Sequence, residues 1–242
     1  MTFSAGLAIK GAKPYFAVYS SFLQRSFDQI IHDVAIAGVP VRICVDRAGI
    51  VGEDGESHQG VFDAAFLSTV PGMRIYSPCY YSELENIIEK SADFDGPVAI
   101  RYPRGNAPEF GSEFASNKEF SVVGEGEIAI VTYGRISANA FKAQKELKES
   151  KINCAVIKLN LIYPFSEELI NTLKKYRKLY FFEEGVRSGG IAEHLISRLE
   201  NEIDFKIFAI EDAFVPSAKI DSALKKYKLD SESMYSIIKG EL

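Results

Sequence analysis

The chain has 242 residues, 47% of them hydrophobic and 25% charged, with 18 Gly and 9 Pro. That length holds one large domain or two small ones, and the composition excludes disordered, collagen-like and coiled-coil chains. The net charge of −5, without a basic stripe, argues against a nucleic-acid partner.

No apolar run approaches the ~20 residues a bilayer crossing needs, and Met1-Thr2-Phe3-Ser4 brings no basic leader, so the expected address is the cytoplasm with no membrane partner. Cys44, Cys79 and Cys154 lack any CxxC or Cys/His clustering and read as small core hydrophobes, with no metal site expected.

Val/Ile-rich runs alternate with amphipathic stretches, the pattern of βαβ units around mainly parallel sheets. In chain order the spacing predicts a strand at Pro14–Val18, then a helix over Leu23–Ala37 with Ile30, Ile31, Val34 and Ala35 on one face. A strand at Val41–Asp46 leads into a long Gly-rich loop, Arg47–Gly60. A short helix at Phe62–Ser68, a strand at Arg74–Ser77, a helix at Tyr81–Ser91 and a strand at Val98–Tyr102 follow. Periodicity is lost from Arg104 to Val123, where Gly, Pro, Asn and Ser collect as in a connector. A second unit then begins, with strands at Ile128–Thr132, Cys154–Leu159, Lys178–Glu183 and Phe205–Ala209. Its helices are expected at Ser137–Ser150, Glu167–Tyr176 and Gly190–Asn201. The expected fold is therefore α/β, two consecutive three-layer domains: residues 1–105, a connector at 106–123, and residues 124–242.

Charge is unevenly divided. Residues 1–117 carry 9 Lys and Arg against 14 Asp and Glu, while residues 118–242 carry 19 of each. Six of the nine cations in the first part are Arg, the residue suited to gripping phosphate or carboxylate in a fork. In open α/β sheets ligands bind beyond the carboxyl ends of the strands, so the loops after Val18, Asp46 and Tyr102 are the places to look.

Three segments stand there. Tyr19-Ser-Ser-Phe22-Leu-Gln24-Arg25-Ser-Phe27-Asp28 offers flat aromatic surface beside fixed donors, suited to a planar heterocycle. By itself it reads more simply as core aromatics with an Arg25–Asp28 surface pair. The loop Asp46-Arg47-Ala-Gly-Ile-Val-Gly-Glu-Asp54-Gly-Glu-Ser-His58-Gln-Gly60 has four Gly in 15 residues, an Arg, several carboxylates and a His. It suits a phosphorylated or polyhydroxylated ligand, with His58 as proton donor or acceptor near neutral pH. In Arg101-Tyr102-Pro103-Arg104, the two arginines either join Arg47 in an anion clamp or serve as salt-bridge donors, and the residues alone leave both open. The junction Glu183-Glu184-Gly185 with Ser188-Gly189-Gly190 has neither Walker nor GxGxxG spacing, and its acidic pair would repel phosphate. Close helix–sheet packing or a subunit contact is the favoured reading, and His194 and His32 are likewise read as ordinary helix residues.

The strings YSSFLQRSFDQIIHDVA, VDRAGIVGEDGESHQGVFD and AIRYPRGNAP resemble the pyrimidine-binding domain of the 1-deoxy-D-xylulose-5-phosphate synthase family, within the transketolase-like thiamine-diphosphate enzymes. LIYPF, the EEG…GG junction and DAFVP continue the resemblance in family order, so it covers essentially the whole chain. It implies decarboxylative condensation of pyruvate with D-glyceraldehyde 3-phosphate, on the routes to isoprenoids, thiamine and pyridoxal. It also implies thiamine diphosphate with Mg²⁺ as cofactors and a homodimer as the intact assembly. Carried over by motif, Phe22 stacks on the cofactor's aminopyrimidine with Arg25 beside it. Tyr19, Asp54 and His58 line the substrate and intermediate site, and Arg47 and Arg104 grip the acceptor's phosphate. The family's N-terminal domain, with its GDG…N motif for diphosphate and Mg²⁺, and its catalytic glutamate in AEQHA have no counterpart here. A general acid of that kind typically contributes ~10²–10⁴-fold, so the chain alone is expected to be inactive. Two other readings stand beside it: a C-terminal subunit of a split transketolase or 2-oxoacid dehydrogenase E1, and a non-catalytic binding or scaffold module reusing the fold.

Overall fold

The computed structural model describes residues 1–199 and 203–241. Its strands are β1 (Tyr15–Tyr19), β2 (Arg42–Asp46), β3 (Arg74–Tyr76), β4 (Val98–Tyr102), β5 (Phe120–Val123), β6 (Ile128–Tyr133), β7 (Cys154–Leu159), β8 (Leu161–Tyr163), β9 (Lys178–Val186) and β10 (Asp204–Ile210). They form two five-stranded sheets ordered β1-β2-β4-β3-β8 and β10-β9-β6-β7-β5. Each sheet is parallel except for one antiparallel edge strand, β8 in the first and β5 in the second. Every residue of β6 and β7 is buried. Their largely apolar runs, interrupted only by Thr132 and Lys158, suit parallel strands covered on both faces.

The elements fall where the periodicity sets them, with physical exceptions. The first long helix starts at Ser20 and is not uniform. α-helical turns at Ser20–Leu23 and Phe27–Gln29 flank a 3₁₀ turn, and Ile30–Ala35 widens into a π-helix. The wider turn rotates the face, so Ile30 and Val34 are buried while Ile31 and Ala35 are only half-buried. The connector ends in β5, which pairs antiparallel with β7. β8 follows β7 after the single residue Asn160, yet crosses to the first sheet, where Ile75 faces Tyr163 and Tyr76 faces Leu161. Asn160 makes the crossing possible: its amide donates to the carbonyls of Ser116 and Lys118, and its carbonyl accepts from the Ser77 N–H at 2.8 Å. The expected helix at Gly190–Asn201 runs over Ile191–Arg198, and Asn201 lies outside the described residues. Further helices occupy Thr2–Ile9, Ile220–Lys226 and Ser231–Gly240.

The largest buried cluster draws Val45 and Ile75 from the first sheet together with Val131, Ile157 and Phe181 from the second, so the sheets share a core. A fully buried ion pair, Glu83 with Lys158, also spans them. The same Glu83 carboxylate accepts from the N–H groups of Cys79, Tyr80 and Ser116. Cys79 and Cys154 are buried and Cys44 half-buried. No helix among the described residues is long and apolar enough to cross a membrane.

Candidate functional site

Sheet register builds the site. Tyr19 pairs with Asp46 and Asp46 with Tyr102, so β1, β2 and β4 end side by side and their loops leave from one edge. Tyr19 and Phe22 stack with ring centroids 5.5 Å apart and planes 12° apart, and Phe22 meets His58 edge-on, also at 5.5 Å. The Arg25 guanidinium stands 5.9 Å over Phe22 and that of Arg47 3.8 Å over Tyr19. Phe22 remains 40% exposed, a large apolar ring offered to solvent at a strand end.

Asp54 joins the arginines. One carboxylate oxygen accepts from Arg104 Nη1 at 2.6 Å, and the other lies 3.9 Å from Arg47 Nε. Arg47 also donates from Nη1 to Asp46 at 2.7 Å, and its backbone holds φ +58°, a left-handed conformation uncommon outside Gly. All seven residues singled out in sequence, Tyr19, Phe22, Arg25, Arg47, Asp54, His58 and Arg104, therefore form one continuous run of contacts.

The loop that carries three of them is closed and braced. Gly49 and Gly60 exchange both backbone hydrogen bonds, at 2.6 and 2.8 Å. The Gln59 side chain spans the interior, accepting from the Val51 N–H and donating to the Gly52 carbonyl. From the second sheet, Glu184 accepts from the Ile50 N–H at 2.7 Å, while Arg135 donates to both Glu184 and the Ile50 carbonyl. Gly49 adopts φ +89°, and a Cβ there would sit 2.6 Å from the Glu184 carboxyl carbon, so any other residue is strained and must displace Glu184. Ser217 adds a hydrogen bond to the Glu53 carbonyl. Sequence reading missed Arg135 and the bracing role of Glu184, whose contacts join segments far apart in the chain, and the role of Gln59, whose partners lie within its own loop.

Of the two readings left open for Arg101 the structure shows the salt-bridge donor: it is buried and forks onto Asp63 at 2.5 and 3.1 Å. One expectation is corrected. Arg25 does not pair with Asp28, whose carboxylate lies 3.1 Å from His32 Nδ1 instead. The acidic junction serves close packing, as expected. Glu183 is fully buried and accepts from Tyr133 and from the N–H groups of Ile191 and Ala192 at the start of a helix. Burial pushes the Glu183 carboxyl up to about 7, and the Tyr102 hydroxyl up to about 12. His194 bonds Ser68 at 3.0 Å. A groove of about 740 Å³ lies between Phe62, Phe66 and Phe214 and holds none of the seven residues.

Residues 1–109 match the family model for the transketolase pyrimidine-binding domain, and residues 121–234 that for the transketolase C-terminal domain. The chain carries both of these transketolase domains. It is 42% identical to the 1-deoxy-D-xylulose-5-phosphate synthases of Caldanaerobacter subterraneus subsp. tengcongensis and Clostridium perfringens, over 98% and 97% of its length. It is 38% identical to that of Nitratiruptor sp. over 97%. In each case it spans 39% of the relative's own length, as the C-terminal portion. A solved split-gene transketolase, an inactive β4 tetramer, shares the fold with a TM-score of 0.87 at 24% identity, covering 98% of this chain and 79% of that one.

Proposed function

We propose that this chain is the C-terminal part of a cytoplasmic 1-deoxy-D-xylulose-5-phosphate synthase, condensing pyruvate with D-glyceraldehyde 3-phosphate as a homodimer. The observation that carries this reading is the convergence of seven motif residues at three adjoining strand ends. They converge in a chain 42% identical to such synthases along nearly its whole length.

The residues fit the ring end of thiamine diphosphate. Phe22 has one face against Tyr19, the Arg25 guanidinium over its ring and His58 edge-on, and its 40% exposed surface offers apolar contact to a planar heterocycle. The cofactor supplies the carbon nucleophile that takes up the two-carbon unit of pyruvate. Its diphosphate and Mg²⁺ are assigned to the N-terminal portion, and no residue here is given to them. Tyr19, Asp54 and His58 face the reacting end, with His58 able to hold or move a proton there. Arg47 and Arg104 orient the acceptor by its phosphate.

A second reading keeps the same chemistry and divides it between two chains. It is favoured by the likeness in fold to the split-gene transketolase, whose β assembly is described as inactive. Under both readings the 242-residue chain alone yields no product from pyruvate and glyceraldehyde 3-phosphate. Supplying the N-terminal portion of the Caldanaerobacter relative, fused or as a separate chain, restores turnover. Turnover by the chain alone refutes its predicted inactivity, and failure of both combinations refutes the assignment.

A further inference from the structure

Asp54 stands in an unexpected place for a residue beside a phosphate grip: its carboxylate already lies between the two arginines. The fit is one-sided. Arg104 Nη1 is satisfied at 2.6 Å, whereas Arg47 Nε, 3.9 Å from the other oxygen, is buried and has no hydrogen-bond partner. A carboxylate has two oxygens in a plane and one charge. A phosphate has three strong acceptor oxygens and nearly two charges at neutral pH, enough to serve both guanidinium groups at once.

Arg47 is independently held in readiness. Asp46 fixes its Nη1, its guanidinium lies on Tyr19, and its backbone is constrained at φ +58°. Asp54, by contrast, sits on a short 3₁₀ turn between Gly52 and Gly55, at φ +80° and +85°. Gly55 has open space around it. Arg47 is thus the fixed part of the seat, and Asp54 the part whose flanking glycines leave it free to move.

We propose that Asp54 is a specificity-determining residue: its carboxylate fills the Arg47–Arg104 anion seat at rest, and a phosphate dianion displaces it while a monoanion does not. The proposal rests on the reading of Arg47 and Arg104 as the acceptor's phosphate grip. An internal anion that occupies the seat for most of the time lowers the apparent affinity for every external anion by the fraction of time the seat is free. Weak anions then fall below useful affinity, and only the dianion, making the bond that Arg47 Nε lacks, competes.

The test is calorimetric titration of the 242-residue chain with inorganic phosphate and with acetate, for the original sequence, D54N, R104A and D54N/R104A. D54N keeps the shape of the side chain and removes its charge, and thermal unfolding verifies that each variant is folded. D54N is expected to bind phosphate about tenfold more tightly or better and to gain measurable acetate binding, with both gains lost in D54N/R104A. If the original chain binds phosphate through Arg104 as tightly as D54N does, the displacement idea is overturned and the phosphate grip stands. If no variant shows binding that depends on Arg104, the grip fails and the proposal with it.

Discussion

A carboxylate with no exposed surface, Glu183 bonds Tyr133 and two helix N–H groups, and burial raises it to about 7 from an ordinary value of 4.5. A raised acid binds its proton more readily folded than unfolded, so stability falls as pH rises from about 4.5 to about 7 and is level above that. At 1.36 kcal/mol per unit the loss is about 3 kcal/mol. Urea unfolding across pH 4.5–8 is expected to show that slope, and E183Q to flatten it; an unchanged slope in E183Q would assign it elsewhere. At Phe22 the expected effect is on binding. In the reconstituted enzyme F22A raises the thiamine-diphosphate requirement about tenfold through lost stacking, and an unchanged requirement removes Phe22 from the cofactor site. Residue type alone indicated the aromatic pair and the Gly-rich loop. It could not distinguish Arg101 from Arg104, two arginines three residues apart. Arg101 points within β4 toward the buried Asp63, whereas Arg104 lies past the strand end.

At the scale of elements, the loop from Arg47 to Gly60 is held by the second sheet as much as by its own residues. Breaking one partner of the Arg135–Glu184 pair leaves a charge in a place nearly closed to water, a loss of about 3–5 kcal/mol. R135M and E184M are each expected to destabilise by that amount and R135M/E184M by much less than their sum, measured by urea unfolding. Additive losses would show that the pair is not coupled. G49A combines a strained φ with a clash against Glu184 and is expected to cost at least ~2 kcal/mol; a change within ~0.5 kcal/mol, the range of ordinary surface substitutions, would contradict that geometry. The parallel strands were legible because burial on both faces demands continuous Val/Ile runs. The antiparallel strands β5 and β8 were not, since one closes the connector and the other follows β7 after a single residue. Their places are set by pairing with β7 and β3.

At the scale of the molecule, order along the chain and proximity in space diverge. The helix Ser231–Gly240 was not read from the sequence, although Asp230 caps Ser233 and Met234 and Ile238 stand four apart on a buried face. Nor was its packing on the helix Ser137–Glu149, including the Tyr235–Ser150 hydrogen bond. The sequence by itself determined the alternation of strands and helices, the motifs at the strand ends and the segregation of arginines into the first part. These follow from local periodicity and from the chemistry of single side chains. Only the tertiary structure decided that Arg101 is internal, that Asp54 lies between two arginines, and that Glu184 braces a loop 134 residues earlier in the chain. Those outcomes depend on which strands become neighbours and on which charges burial forces into pairs, and neither is encoded in any short stretch of residues.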